Sequence, residues 1–244
     1  MSDGTPVPGE LAIDGHLAPR RRRRTGRNLL ILIIVLLVIL GLLFGLDRAA
    51  ASYAAGRIAT KLQADGFPVR PSVTVEGFPF LTQVISHHLD GVKVTAPKFP
   101  VGPVTASVNV QAKDIALSSG YQSGTISRVT GTGLITFSSL AKLPALAAVP
   151  GLELSSDGSH LVKLTANLQV LTASAIARVK QAGPNEIALR IVSTSGVPAS
   201  LLGPIRHLTV RIPKLPLGLT VRAVTVSPRG VVIGVAASNA SFGQ

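Results

Sequence analysis

Eighteen consecutive uncharged residues, LLILIIVLLVILGLLFGL at positions 29–46, constrain this chain more than any other feature. As a helix they extend about 27 Å at 1.5 Å per residue, close to the roughly 30 Å hydrocarbon core of a bilayer. Arginines at 20–24 and 27 precede the run, whereas only Arg48, Arg57 and Lys61 follow it closely. Basic residues stay on the cytoplasmic side. The expected topology is therefore a single-pass plasma-membrane protein: residues 1–28 a basic cytoplasmic tail, 29–46 a transmembrane helix and 47–244 an extracytoplasmic domain. A cleaved signal peptide is the competing reading, with Ala49-Ala50-Ala51 as small residues for a peptidase. The run is longer than the roughly 7 to 15 apolar residues of such peptides. Both readings export the rest of the chain.

The exported portion is long enough for one large domain with a real core. The chain has no cysteine, so disulfides, thiolate metal sites and cysteine nucleophiles are excluded. Its net charge of +13 divides into +3 over residues 1–46 and +10 over the remainder. A basic domain outside the cell meets anionic headgroups and envelope polymers rather than nucleic acid. The charges are scattered, which also suits an ordinary solvated surface.

Residues 47–65 are alanine-rich, with Ala51, Ala55, Ile58 and Leu62 at helical spacing and Gly66 as a stop. From Pro71 onward the apolar period becomes two, the pattern of half-buried strands. Val73 and Val75 alternate with polar neighbours, as do Val92, Val94 and Ala96. Further alternating runs occupy 126–137, 187–191, 208–212 and 231–237. In three places the apolar phase switches: after Ala112, where Ile115 and Leu117 follow; at Val170; and between Ala223 and Val224. A β-bulge produces such a switch, and the latter two lack turn residues, so long bent strands are expected. Short helices fit 81–88, 138–148 and about 198–202. The fold class predicted is α+β, mainly β, with an initial helix and a largely antiparallel sheet buried on one face.

The inward positions are mostly Val, Leu, Ile and Ala, with no Trp anywhere. Such a wall suits flexible acyl chains, and equally suits a face packed on itself. The most distinctive local stretch is Gly77-Phe78-Pro79-Phe80-Leu81-Thr82-Gln83, followed by the strand Gly91-Val92-Lys93-Val94. With the order of basic tail, single anchor, helix, this motif and a β-rich domain, the chain resembles the LmeA-like family of actinobacterial envelope phospholipid-binding proteins over about residues 28–240. The resemblance implies a fold similar to tubular lipid-binding domains, a long bent sheet wrapped around the N-terminal helix to form an apolar groove. It also implies phospholipid binding outside the plasma membrane and no catalysis, and transfers no ligand-contacting residue.

Candidate acyl-chain contacts are therefore chosen by chemistry: Phe78, Phe80, Leu81, Val84, Val92, Val94 and Phe99. The plain alternative for the phenylalanines is core packing. His87, His88, Lys93, Lys98 and Lys214 are candidates for the headgroup phosphate, of an anionic lipid with the phosphatidylinositol type as one candidate. Adjacent His87 and His88 point to different sides, so no metal site is expected. Lys98 and Lys214 each sit in a Pro-Lys-apolar-Pro segment, which reads as a stiff loop in its own right. No G-x-S-x-G or H-E-x-x-H motif occurs, and Gly131-Thr132-Gly133 lacks a third phosphate-loop glycine. No cofactor is implied. Two further functions remain open on the sequence: a non-catalytic envelope scaffold with a self-packed interior, and a hydrolase or transferase on envelope lipids.

Overall fold

The computed structural model describes residues 24–65, 67–168, 171–183, 186–196, 207–212 and 215–243. The chain divides after Gly45 into two compact units. In the first, every residue from 27 to 45 is exposed, and its helix is long and apolar enough to cross a membrane. That helix, α1 (Arg24–Ala64), continues into the second unit.

The second unit is mainly β. One sheet has six antiparallel strands in the order β1-β2-β3-β4-β11-β10. These are β1 (Ser72–Glu76), β2 (His88–Val101), β3 (Val104–Leu117), β4 (Gly124–Thr136), β10 (Thr220–Ser227) and β11 (Gly230–Phe242). The other has five, in sequence order: β5 (Leu152–Ser156), β6 (Leu161–Leu168), β7 (Leu171–Gly183), β8 (Glu186–Ser195) and β9 (His207–Arg211). Strands thus fill two sheets. Between β1 and β2 lies α2 (Phe80–Ile85); α3 (Phe137–Leu140) and α4 (Pro144–Ala147) link β4 to β5, with Pro144 opening the second piece. The helix expected near 198–202, the stop at Gly66 and the headgroup candidate Lys214 fall outside the described residues.

Two apolar clusters hold this unit together. In one, Ala51 and Ala55 of α1 pack with Val75, Phe80, Leu89, Val92, Ile115, Ile126 and Val129. Alanines one helical turn apart let the helix backbone approach the strands closely. The other joins the two sheets, through Val104, Ala106, Ile135 and Ile233 on one side and Val162, Leu164, Val179 and Ile187 on the other. Polar contacts stitch the same seam at β10. Val226 N–H donates to Ser159 O at 2.7 Å, Gln181 Nε2 donates to Val221 O at 3.1 Å, and His160 Nδ1 lies 3.1 Å from Val224 O.

The three phase switches have three different origins. At Ala223 the register shifts against β11, a bulge as expected. At Val170 the expectation of one bent strand is corrected: β6 and β7 form a hairpin with Leu168 opposite Leu171. Residues opposite one another in an antiparallel pair share a face, so a two-residue connection itself reverses the odd–even phase. After Ala112 there is no register shift, and the expected bulge is replaced by a crease. Asp90, Asp114, Ser127 and Asn239 stand level with one another in β2, β3, β4 and β11, at a row where the pairing is interrupted between regular flanking pairs. Leu89 and Val92, Ala112 and Ile115, Ile126 and Val129, and Ala237 and Ala240 are buried on either side of it. Asp114 and Asn239 take positive φ of 53°, a conformation these two residue types tolerate.

Val129, with 0% exposure, sits beside the crease. Val129→Ala should cost about 2 kcal/mol from two lost methyls and the void left behind. Val192→Ala, at an exposed site, should stay within about 0.5 kcal/mol. Denaturant titration of the full chain in micelles measures both.

Candidate functional site

Two places carry the chemistry. The first is a latch built from the Gly77–Gln83 stretch. Asp47 is buried, at 3% exposure, and its carboxylate accepts the Leu81 N–H at 2.9 Å, so it caps α2 from 34 residues upstream. Arg48 Nη2 donates to Asp47 at 2.7 Å and to Gly77 O at 2.9 Å, and its guanidinium lies 5.3 Å from the Phe78 ring centroid. Thr82 Oγ1 donates to Pro79 O at 2.8 Å. Buried Gln83 accepts the Asp90 N–H at 2.9 Å and donates to Glu76 O at 3.4 Å. Gly77 has φ +92°, and a Cβ there would collide with the Asp90 carboxylate and the Gln83 amide. The motif is thus a hydrogen-bonded clasp that ties α1, α2 and the start of β2 together.

The second place is a cavity of about 400 Å³ between the sheets, within the range of small-molecule pockets. Val104, Ala106 and Val108 of β3, Ile135 of β4, Val162 and Leu164 of β6, Val179 of β7 and Ile187 and Leu189 of β8 line it, with Ile233 and Val235 of β11. Leu140, Leu143 and Leu146 close one flank, and Pro68, Phe99, Pro100, Leu215 and Pro216 another. Among the described residues that line it, Thr132 alone has a polar side chain. At Gly133, also on the wall, an added Cβ would meet nothing within 4 Å. A space of this kind supplies dispersion and excludes water, and offers almost nothing to a polar solute.

Among the sequence candidates, Phe99 lines the cavity, its ring 4.8 Å from that of Phe67. A register shift between Ala96 and Phe99 turns that ring inward and leaves Pro97 and Lys98 exposed beside it. Phe80 is buried at the latch, with Val92 and half-buried Val84 and Val94 in the same cluster. Phe78 and Leu81 are exposed. His87 stacks on Tyr121 at 4.6 Å, while His88 and Lys93 are exposed. The candidates thus separate between latch, cavity and surface. The main cavity residues went unsingled because their alternation is identical to that of ordinary core strands. Among the described residues, no three His, Asp or Glu side chains come together as a metal site.

Burial acts to raise the Asp47 carboxyl, but the hydrogen bond from Leu81 N–H, the Arg48 guanidinium and the Phe80 N–H together hold it below the usual carboxylate range. A folded-state value below the unfolded one of about 3.9 means that the unfolded chain takes up the proton first. The latch contribution is therefore complete above about pH 4 and falls away as pH drops through the lower folded value. The protection of the amides of residues 80–85, their exchange relative to the intrinsic rate at each pH, should fall on acidification below that point. Asp47→Ala should show the lowered protection already at neutral pH, with the β6–β7 amides unchanged.

The model of the family described as LmeA-like phospholipid-binding matches residues 45–236, well over half of the chain. No curated protein and no solved structure matches it.

Proposed function

The chain belongs to the LmeA-like phospholipid-binding family, and from that membership we propose a membrane-anchored, extracytoplasmic phospholipid-binding protein that shelters acyl chains in the cavity between its two sheets. Its N-terminus is cytoplasmic, and its role is non-catalytic, in cell-envelope lipid or lipoglycan handling. The observation that carries the reading is the apolar cavity itself. A self-packed scaffold would close its sheets on each other; here the strands leave room where a Gly133 side chain would otherwise stand. Phe99 and the inward valines of β3 and β11 form the acyl wall. We assign a headgroup phosphate to Lys98, exposed next to Phe99, and to Lys214 of the second Pro-Lys-apolar-Pro segment, which lies outside the described residues. The basic balance of residues 47–244 favours an anionic headgroup, including the phosphatidylinositol type.

Gly133→Leu tests this directly. A Cβ at 133 meets nothing within 4 Å, so the leucine side chain projects into the space that Gly133 lines. Phospholipid extracted per purified chain, measured against wild type prepared identically, should fall at least tenfold. Undiminished retention in a folded variant would move the acyl chains elsewhere.

A further inference from the structure

Beyond Leu46, six large apolar or aromatic side chains among the described residues are exposed: Tyr53, Phe78, Leu81, Ile85, Tyr121 and Val192. Scattered single residues of this kind are ordinary on a protein surface. Four of the six are gathered at one end of the six-stranded sheet. Phe78, Leu81 and Ile85 belong to α2 and the turn before it, and Ile85 is 76% exposed. Tyr121 stands in the β3–β4 turn, where its ring stacks on His87 at an interplanar angle of 17°. The Leu117 N–H, donating to His87 O at 2.8 Å, binds that turn to the end of α2. The patch is held rigidly, since Leu81 is bonded to Asp47 and Arg48 lies over Phe78. Asp47 is the residue immediately after the apolar run 29–46. A run that ends at a bilayer surface therefore brings Asp47, and whatever is bonded to it, to that surface.

We propose that Phe78, Leu81, Ile85 and Tyr121 seat the domain in the headgroup–acyl boundary of the bilayer that holds residues 29–46. The inference rests on the membrane-anchored reading above. The chemistry matches the site: aliphatic tips for the acyl boundary, a tyrosine at headgroup level as in aromatic belts, and Arg48, half-exposed, for phosphates. The acyl cavity lies at the other end. β3 lines it from Val104 to Val110 and reaches the patch at Leu117, a path of roughly 20 Å from the nearest lining residue at about 3.3 Å per residue. A lipid in the cavity is thus held away from the seated end, so the seat fixes the domain's orientation and does not itself hold the cargo.

The absence of cysteine makes a single introduced label specific. Ile85→Cys and, as control, Val192→Cys would each carry an environment-sensitive fluorophore, in the full chain reconstituted into phosphatidylcholine–phosphatidylglycerol vesicles. Quenching by nitroxides on the lipid chains should be at least threefold stronger at Ile85→Cys than at Val192→Cys, with blue-shifted emission. Phospholipid retained per chain is measured on the same samples after detergent extraction. A water-exposed probe at position 85 in a chain that retains phospholipid overturns the seat, leaves the cavity reading standing and assigns the patch to a protein partner. An immersed probe in a chain that retains none upholds the seat and overturns the cavity reading.

Discussion

Long strands with one apolar face must have that face covered, and every large feature of this domain answers that requirement. β3 presents Val104, Ala106, Val108, Val110 and Ala112 in one unbroken phase and then Ile115 beyond the crease. At about 25 cal/mol per Å², leaving such a face in water would cost several kcal/mol per strand. One element cannot cover it all. The alanine side of α1 covers the end near the latch, and the five-stranded sheet covers the end near Val104. The cavity lies between the sheets, inside the apolar cluster that joins them. Binding capacity is thus a consequence of how two incomplete covers share one long face.

The latch gives this arrangement its register. Asp47, Arg48 and the Gly77–Gln83 stretch join α1 to the sheet through charged and backbone hydrogen bonds, at the point where the apolar run gives way to the domain. Buried hydrogen-bonded charge is costly to misplace, so it selects one seating of helix against sheet where alanine packing alone would allow sliding. The crease, repeated in four strands at one row, interrupts the pairing at that row and leaves the register on either side unchanged. Stiff packing near the latch and open space near Val104 therefore coexist in the same strands.

Much of this was legible in the sequence. Alternation located the strands, the apolar run located the long helix, and Gly77–Gln83 marked the family. The chemistry of that motif was not legible, because its partners Asp47 and Arg48 lie about thirty residues away and form no local pattern. Phe80 and Phe78 are two positions apart, yet one is buried and the other exposed, a difference that goes with the start of α2 at Phe80 and not with residue type. The phase switches were visible, but a bulge, a two-residue hairpin and a shared crease all change parity in the same way. Which alternating residues face a void was hidden for a similar reason: Val104 and Val129 have the same periodicity, and only the position of the second sheet separates cavity wall from packed core.

The central claim is that acyl chains enter the space between the sheets, and it is tested most directly by reconstituting the full chain in vesicles containing a phospholipid with a photoactivatable acyl chain. After illumination, peptide mass spectrometry locates the adducts. The account predicts adducts on the strand peptides that carry Val104, Ala106 and Val108 and on those that carry Ile233 and Val235, in addition to the expected labelling of residues 29–46. Adducts confined to residues 29–46 would contradict it.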